Sequence, residues 1–269
     1  MNRTIAFVQQ RSLATFVILA FLFSWWTWPL SALGLPLFPP GPFLAAITVL
    51  AITQGKRGMI DLLRGMVQWR VAPRWYALIF GLPLALVGAA VGLNLLLGAT
   101  MPSAGELIGQ SRLLLLFPLL LLIPGAGGAW SEPGWRGYAL PRLLATRSAL
   151  VGSLILGVVV ALWHLPLILT GRQPLGDLPW LVVWSVMFTW IFKGTGGSVA
   201  IAMLFHAWDD TLVNFSKALF AGTDVTQLAW LHAGLYALAV AAIVVLAGPN
   251  LRRQSLAQPD MIAEPAVGI

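Results

Sequence analysis

The chain has 269 residues, 59% of them hydrophobic and only 9% charged, with a mean hydropathy of +0.86. Soluble domains carry about 25% charged residues, so a water-exposed globular enzyme, a disordered regulator and a fibrous repeat are excluded. The chain has no cysteine, which excludes a disulfide framework and a thiolate metal site. A net charge of +7 and a pI near 10.8 fit Lys and Arg held in loops beside anionic lipid, and nucleic acid is not expected as a partner.

In chain order, the first apolar stretch runs from about Leu13 to Leu33 behind Arg3 and Arg11 and ends in Trp25, Trp26, Trp28 and Pro29. It is too long for a signal-peptide core and is expected to be a retained span. A shorter span follows from about Pro42 to Thr53. The densest basic stretch comes next, with Lys56, Arg57, Arg64, Arg70 and Arg74. Within it Met59, Ile60, Leu62, Leu63, Met66 and Val67 recur at helical spacing, which predicts an amphipathic helix on the membrane surface. Further spans are expected at about Trp75–Leu97, Leu113–Ile123, Ala149–Leu169, Trp180–Phe192, Ser198–Phe215 and Leu228–Leu246. The expectation is therefore an all-α membrane protein, a bundle of about eight transmembrane helices forming one polytopic domain over residues 1–253. A short disordered tail is expected from Gln254 to Ile269. Lys56 to Arg74, Arg142, Arg147, Lys193, Arg252 and Arg253 fall on one side of such a bundle, and Arg112, Arg172 and Lys217 on the other. By the positive-inside rule both termini are cytoplasmic, in a membrane of the bacterial cytoplasmic type.

A charged side chain at mid-bilayer costs about 2.5–3.5 kcal/mol on insertion scales. Yet Glu132, Arg136, His164, His206, Asp209 and Asp210 sit in or beside apolar stretches, with Asn94 and Asn214. Glu132 and Arg136 are one helical turn apart and can pair, as are His206, Asp210 and then Asn214. Each has a plainer reading: the Glu132–Arg136 pair could neutralise itself at a helix end, and His164 could be a hydrogen-bonded core residue. Asp209, one step off the His206 face, could point into solvent, and His232 reads as interfacial. Their convergence from separate helices between Glu132 and Asn214 instead points to one site built by the second half of the chain.

These residues also carry a resemblance. Ser131-Glu132-Pro133-Gly134-Trp135-Arg136-Gly137 resembles the Glu-Glu-x-x-x-Arg motif of the CPBP family, the type II CAAX prenyl endopeptidases and bacteriocin-processing proteins. Val160 to His164 is similar to its aromatic-to-His second motif, and His206 to Asp210 matches its His-x-x-x-Asn/Asp third motif. Gly41-Pro42-Phe43-Leu44-Ala45-Ala46 is similar to an upstream stretch of these proteins, so the likeness runs from about residue 41 to 215.

The resemblance implies an eight-helix intramembrane endopeptidase. Glu and His would activate water to cut a peptide bond in a hydrophobic or prenylated, membrane-associated substrate. Carried over, Glu132, His164, His206 and Asp210 are the catalytic candidates, and Ser131, Arg136 and Asn214 support them. His164, His206 and Asp210 would form a zinc site if the enzyme uses Zn2+; a metal-free glutamate mechanism is the equal alternative. One departure matters: Ser131 stands where the family has its first Glu, and serine is not a general base at neutral pH without another base beside it. Either Glu132 takes over, helped by the glycines at 125, 127 and 128, or hydrolysis is lost and the chain binds peptides or immunity partners. A serine route with Ser131 as nucleophile and His164 as base is weaker. A small-molecule transporter with a broken helix at Pro124–Gly128 also stays open, without the internal repeat it would need. Pro133 is expected to push Glu132 out of helical geometry, and Val160 replaces the second motif's aromatic.

Overall fold

The computed structural model describes residues 8–33, 37–173, 175 and 177–251. The expected tail, Arg3, Arg252 and Arg253 lie outside the described residues. Among the described residues the regular structure is entirely helical. The helices are α1 (Ser12–Trp25), α2 (Gly41–Thr53), α3 (Gly55–Met66), α4 (Pro73–Leu96), α5 (Ala104–Ser111) and α6 (Leu116–Leu122). After a 3-10 turn (Gly128–Ser131) and a π-helical stretch (Pro133–Ala139) come α7 (Leu140–Leu144), α8 (Ala149–Trp163), α9 (Leu165–Leu169), α10 (Asp177–Gly194), α11 (Val199–Lys217) and α12 (Thr223–Ala247).

Among the described residues, four stretches are long and apolar enough to cross a membrane: Ser12–Ser31, Pro73–Leu96, Ala104–Leu122 and Thr223–Ala247. Each of the eight expected segments is helical. α2 and α8, however, are shorter apolar helices, and α10 and α11 do not meet the length-and-hydropathy criterion despite their length. The third of the long stretches begins well before the expected Leu113. Ser103 and Glu106 form a capping box there, Ser103 Oγ accepting from the Glu106 N–H while Glu106 accepts from the Ser103 N–H. The polar run Gln110–Arg112 hides that start from a hydropathy reading. The surface helix is present as expected. Lys56, Arg57, Asp61 and Arg64 are exposed on α3, while Leu62 is buried and lies where a side chain on Gly137 of the π stretch would have to go.

The outer helices present bare hydrocarbon. Leu96 and Leu97 at the end of α4, and Trp230, Leu238, Val245 and Leu246 on α12, are large apolar side chains left exposed, as in a protein solvated by lipid. α11 is the opposite case, buried along nearly all of its length. It packs on α4, α6, α10, α12 and both irregular turns, and it borders two apolar cores. One joins α1, α2, the π stretch and α8; the other joins α4, α10, α11 and α12.

Close helix contact is bought with glycine, as is usual where lipid gives no hydrophobic drive to helix association. At Gly157 in α8 a Cβ would stand 2.8 Å from the Val182 Cα and 2.9 Å from its carbonyl oxygen in α10. Gly157→Ala should therefore destabilise the protein by about 1–3 kcal/mol, the usual range for overpacking. Gly81→Ala, on an exposed face where a Cβ meets nothing within 4 Å, should be neutral or slightly stabilising. Thermal unfolding of the two variants in detergent measures the difference.

Candidate active site

The chain reaches the site through an irregular passage. Gly125 takes a φ of +89°, open to glycine at little strain. Gly128 then starts the 3-10 turn so close to α11 that any Cβ on it would collide with the His206 imidazole. Glycine is needed there because the backbone lies on the histidine ring. Glu132 follows with φ −60° and ψ −38°, helical in spite of Pro133, which corrects the sequence expectation. Pro133 opens the π stretch, where its missing N–H is no loss, and the buried pairing of Glu132 outweighs the preference of a pre-proline residue for extended geometry.

Glu132 is fully buried and is the hub of the cluster. Its Oε1 lies 2.6 Å from His206 Nδ1. Arg136 Nη1 straddles the carboxylate, 3.3 Å from Oε1 and 3.1 Å from Oε2. The second approach is out of line for a hydrogen bond, so Oε2 is held by charge rather than by a directed N–H. Arg136 is itself buried; it donates to Ser185 Oγ at 3.4 Å and lies over the Phe188 ring, 4.1 Å from its centroid. A π stretch within a helix is rare and is often found at functional sites. Here it presents Arg136 to α10 without breaking the one-turn pairing with Glu132.

The His206 ring is clasped from both sides. Nδ1 faces Glu132, and Nε2 lies 3.4 Å from Asp210 Oδ2, longer than the 2.7–2.9 Å of a direct charge-assisted bond. Trp184 and Phe188 meet the ring edge-on. His164 sits where α8 ends and α9 begins. Its Nδ1 is 2.8 Å from the Val160 carbonyl, which can only accept, so Nδ1 carries the hydrogen, and in the neutral ring Nε2 then keeps the lone pair. Val160, in place of the family's aromatic, therefore contributes its carbonyl rather than its side chain.

The remaining candidates fall outside this cluster. Ser131 is buried, but its hydroxyl donates to the Gly128 carbonyl at 2.7 Å and closes the 3-10 turn. Asn214 is exposed and donates back to the Asp210 carbonyl of its own helix at 2.7 Å. Asn94 is buried far along α4, bonded to the Asp224 carbonyl of α12. One expectation is corrected. Asp209 does not face solvent: it is fully buried and accepts a hydrogen bond from the Tyr236 hydroxyl. His232 is buried against Trp180 and Tyr236. Tyr236 follows His232 by one turn on α12, and that pairing was the available signal for a second polar contact. Among the described residues no group of three His, Asp or Glu is arranged to hold a metal ion. His164, His206 and Asp210 thus do not form a fitting zinc set in this arrangement.

Removing one partner of a buried pair strands the other charge, typically at about 3–5 kcal/mol. Arg136→Met should lower stability by that amount, Arg136→Lys by less, and Glu132→Gln combined with Arg136→Met by less than the sum of the two single changes. Thermal unfolding in detergent across this cycle checks the coupling.

Comparison with known proteins agrees with the motifs. Residues 111–212 match the family described as Rce1-like, type II CAAX prenyl endopeptidase. A CAAX prenyl protease 2 from Methanococcus maripaludis is 28% identical over 140 residues, 48% of this chain. The alignment spans about half (49%) of that relative's length. The resemblance to type II CAAX prenyl endopeptidases therefore stands on two matches, and the family match covers the segments that carry Glu132, His164, His206 and Asp210.

Proposed function

We propose that this chain is an intramembrane endopeptidase whose water-activating base is His164 and whose oxyanion donor is His206. The matched family supports endopeptidase chemistry at the level of the fold. The observation that carries the residue assignment is the 2.6 Å contact between Glu132 Oε1 and His206 Nδ1, which fixes the ring and leaves Nε2 toward Asp210.

In this reading, His164 Nε2 takes a proton from water as the oxygen adds to the scissile carbonyl. The His206 Nε2–H then donates to the oxygen that becomes negative. The 3.4 Å separation from Asp210 leaves that hydrogen without a short acceptor, and substrate entry would have to part it from the Gly128 backbone. A carboxylate would repel an oxyanion, so Asp210 orients the attacking water instead, and His164 returns the proton to the leaving amine. Glu132 and Arg136 are positioning residues: they hold His206 and touch no reacting atom. No step runs through a metal, because the donor set does not gather three ligands. The substrate class is a hydrophobic or prenylated peptide tethered to the bilayer.

A second reading, a peptide-binding relative without hydrolysis, is favoured by one observation. Ser131 stands at the position of the family's first Glu, and its hydroxyl is committed to the Gly128 carbonyl.

Proteoliposomes containing a prenylated CAAX-type reporter peptide separate the two. Wild type should cleave it; His164→Ala should slow the reaction by about 100-fold or more, the low end for loss of a general base. His206→Ala should cost about 100- to 1000-fold, as for an oxyanion donor, and a chelator should leave the rate unchanged. An inert wild type with cleavage gained on Ser131→Glu would establish the binding reading instead.

A further inference from the structure

At the end of the bundle where α11 stops and α12 starts, two depressions share a wall. The first, of about 390 Å³, is bordered by Arg172, Asp177, Lys217, Thr226 and Trp230. Its charged residues stand at helix ends: Lys217 closes α11, Asp177 opens α10, and Arg172 lies in the connection before it. Two cations face one carboxylate, so the cavity is net positive, in a chain whose charged residues are few. Arg172 donates through Nη2 to the Ser31 carbonyl at 3.0 Å, which fixes the guanidinium at this rim.

The second depression, of about 660 Å³, is mainly apolar, its polar residues Thr223, Thr226 and Gln227 lying together at the start of α12. It shares Thr226 and Trp230 with the first and continues down α12 past Leu231, Gly234 and Leu235 to Leu238, with Leu93 of α4 on its far side. Thr226 to Leu238 is twelve residues, roughly 18 Å of helix at 1.5 Å each. That is close to half the hydrocarbon thickness of about 30 Å, the depth an acyl chain occupies in one leaflet. Gly234 keeps the groove open, since a Cβ there would meet nothing within 4 Å. Trp230, 61% exposed between the two depressions, is the side chain expected at the level where headgroup meets hydrocarbon.

We propose that this paired cavity and groove is a binding site for one anionic glycerophospholipid of the phosphatidylglycerol type. The phosphate sits between Arg172 and Lys217, a headgroup hydroxyl donates to Asp177, and an acyl chain runs beside Trp230 into the groove of Leu93, Gly234 and Leu238. The site is separate from the Glu132–His206 cluster and does not depend on the peptidase reading. It rests only on the lipid-solvated bundle.

The test is native mass spectrometry of the full chain released from detergent after titration with phosphatidylglycerol or phosphatidylcholine. Inorganic phosphate is followed in parallel by thermal shift. Phosphatidylglycerol should be retained about fivefold more strongly than phosphatidylcholine, and Lys217→Gln and Arg172→Gln should each lower its retention about fivefold, the contribution of one cation near an anionic surface. Gly234→Leu, whose Cβ would meet nothing within 4 Å, should lower retention of both lipids at an unchanged unfolding temperature, and phosphate alone should shift nothing. Equal retention of the two lipids, indifference to Lys217→Gln and Gly234→Leu together, or a stabilisation by inorganic phosphate matching that of the lipid would overturn the proposal.

Discussion

The Glu132 carboxylate has no access to solvent and survives only because its surroundings compensate it. Taking a charge out of water costs several kcal/mol per ion unless geometry and hydrogen bonding restore what hydration gave. Arg136 and His206 do so from two directions, one from the same turn and one from α11. Much of the irregular backbone follows from that need. Gly128 is bare so that the His206 ring can reach the carboxylate. The π stretch carries Arg136 to Ser185 and Phe188. Gly134 gives up its side chain to let the same stretch rest on Pro42 of α2.

α11 turns this compensation into a site. Its sequence is mixed where the other long helices are plainly apolar, because one face carries His206 and Asp210 toward the cluster while the adjacent Asp209 faces α12. The Tyr236–Asp209 contact settles the rotation of α11 about its axis from the far side. The Trp184 and Phe188 edges then close around the imidazole. A histidine held by a carboxylate at one nitrogen and bounded by aromatic rings has little freedom to turn, which is what a fixed donor for developing charge requires.

The sequence made much of this visible. Composition pointed to a membrane protein and the lengths of the apolar stretches to helices, and one-turn spacing paired Glu132 with Arg136 and His206 with Asp210, both of which are paired in space. What spacing could not supply was the contact between the pairs, since Glu132 and His206 are distant in the chain and nothing local fixes the rotation of either helix. The same limit explains Asp209: next to a polar face, a residue can belong to solvent or to a neighbouring helix, and only the position of α12 decides. The count of spans is obscured for a related reason. α10 and α11 are buried by protein rather than by lipid, so their polar content is tolerated and hydropathy ceases to mark them.

Ser131 is best understood through the charge of the cluster. Counted formally, the carboxylates of Glu132 and Asp210 carry two negative charges and Arg136 one positive; the sum would be zero with a proton on each of the two His206 nitrogens that face those carboxylates. A glutamate at 131 would add a third negative charge beside Glu132 in the same buried space, and that excess would have to be met by a further proton or cation. Serine removes the demand, and its hydroxyl is satisfied locally by Gly128. The substitution therefore leaves a cluster that is electrostatically complete with the residues it has.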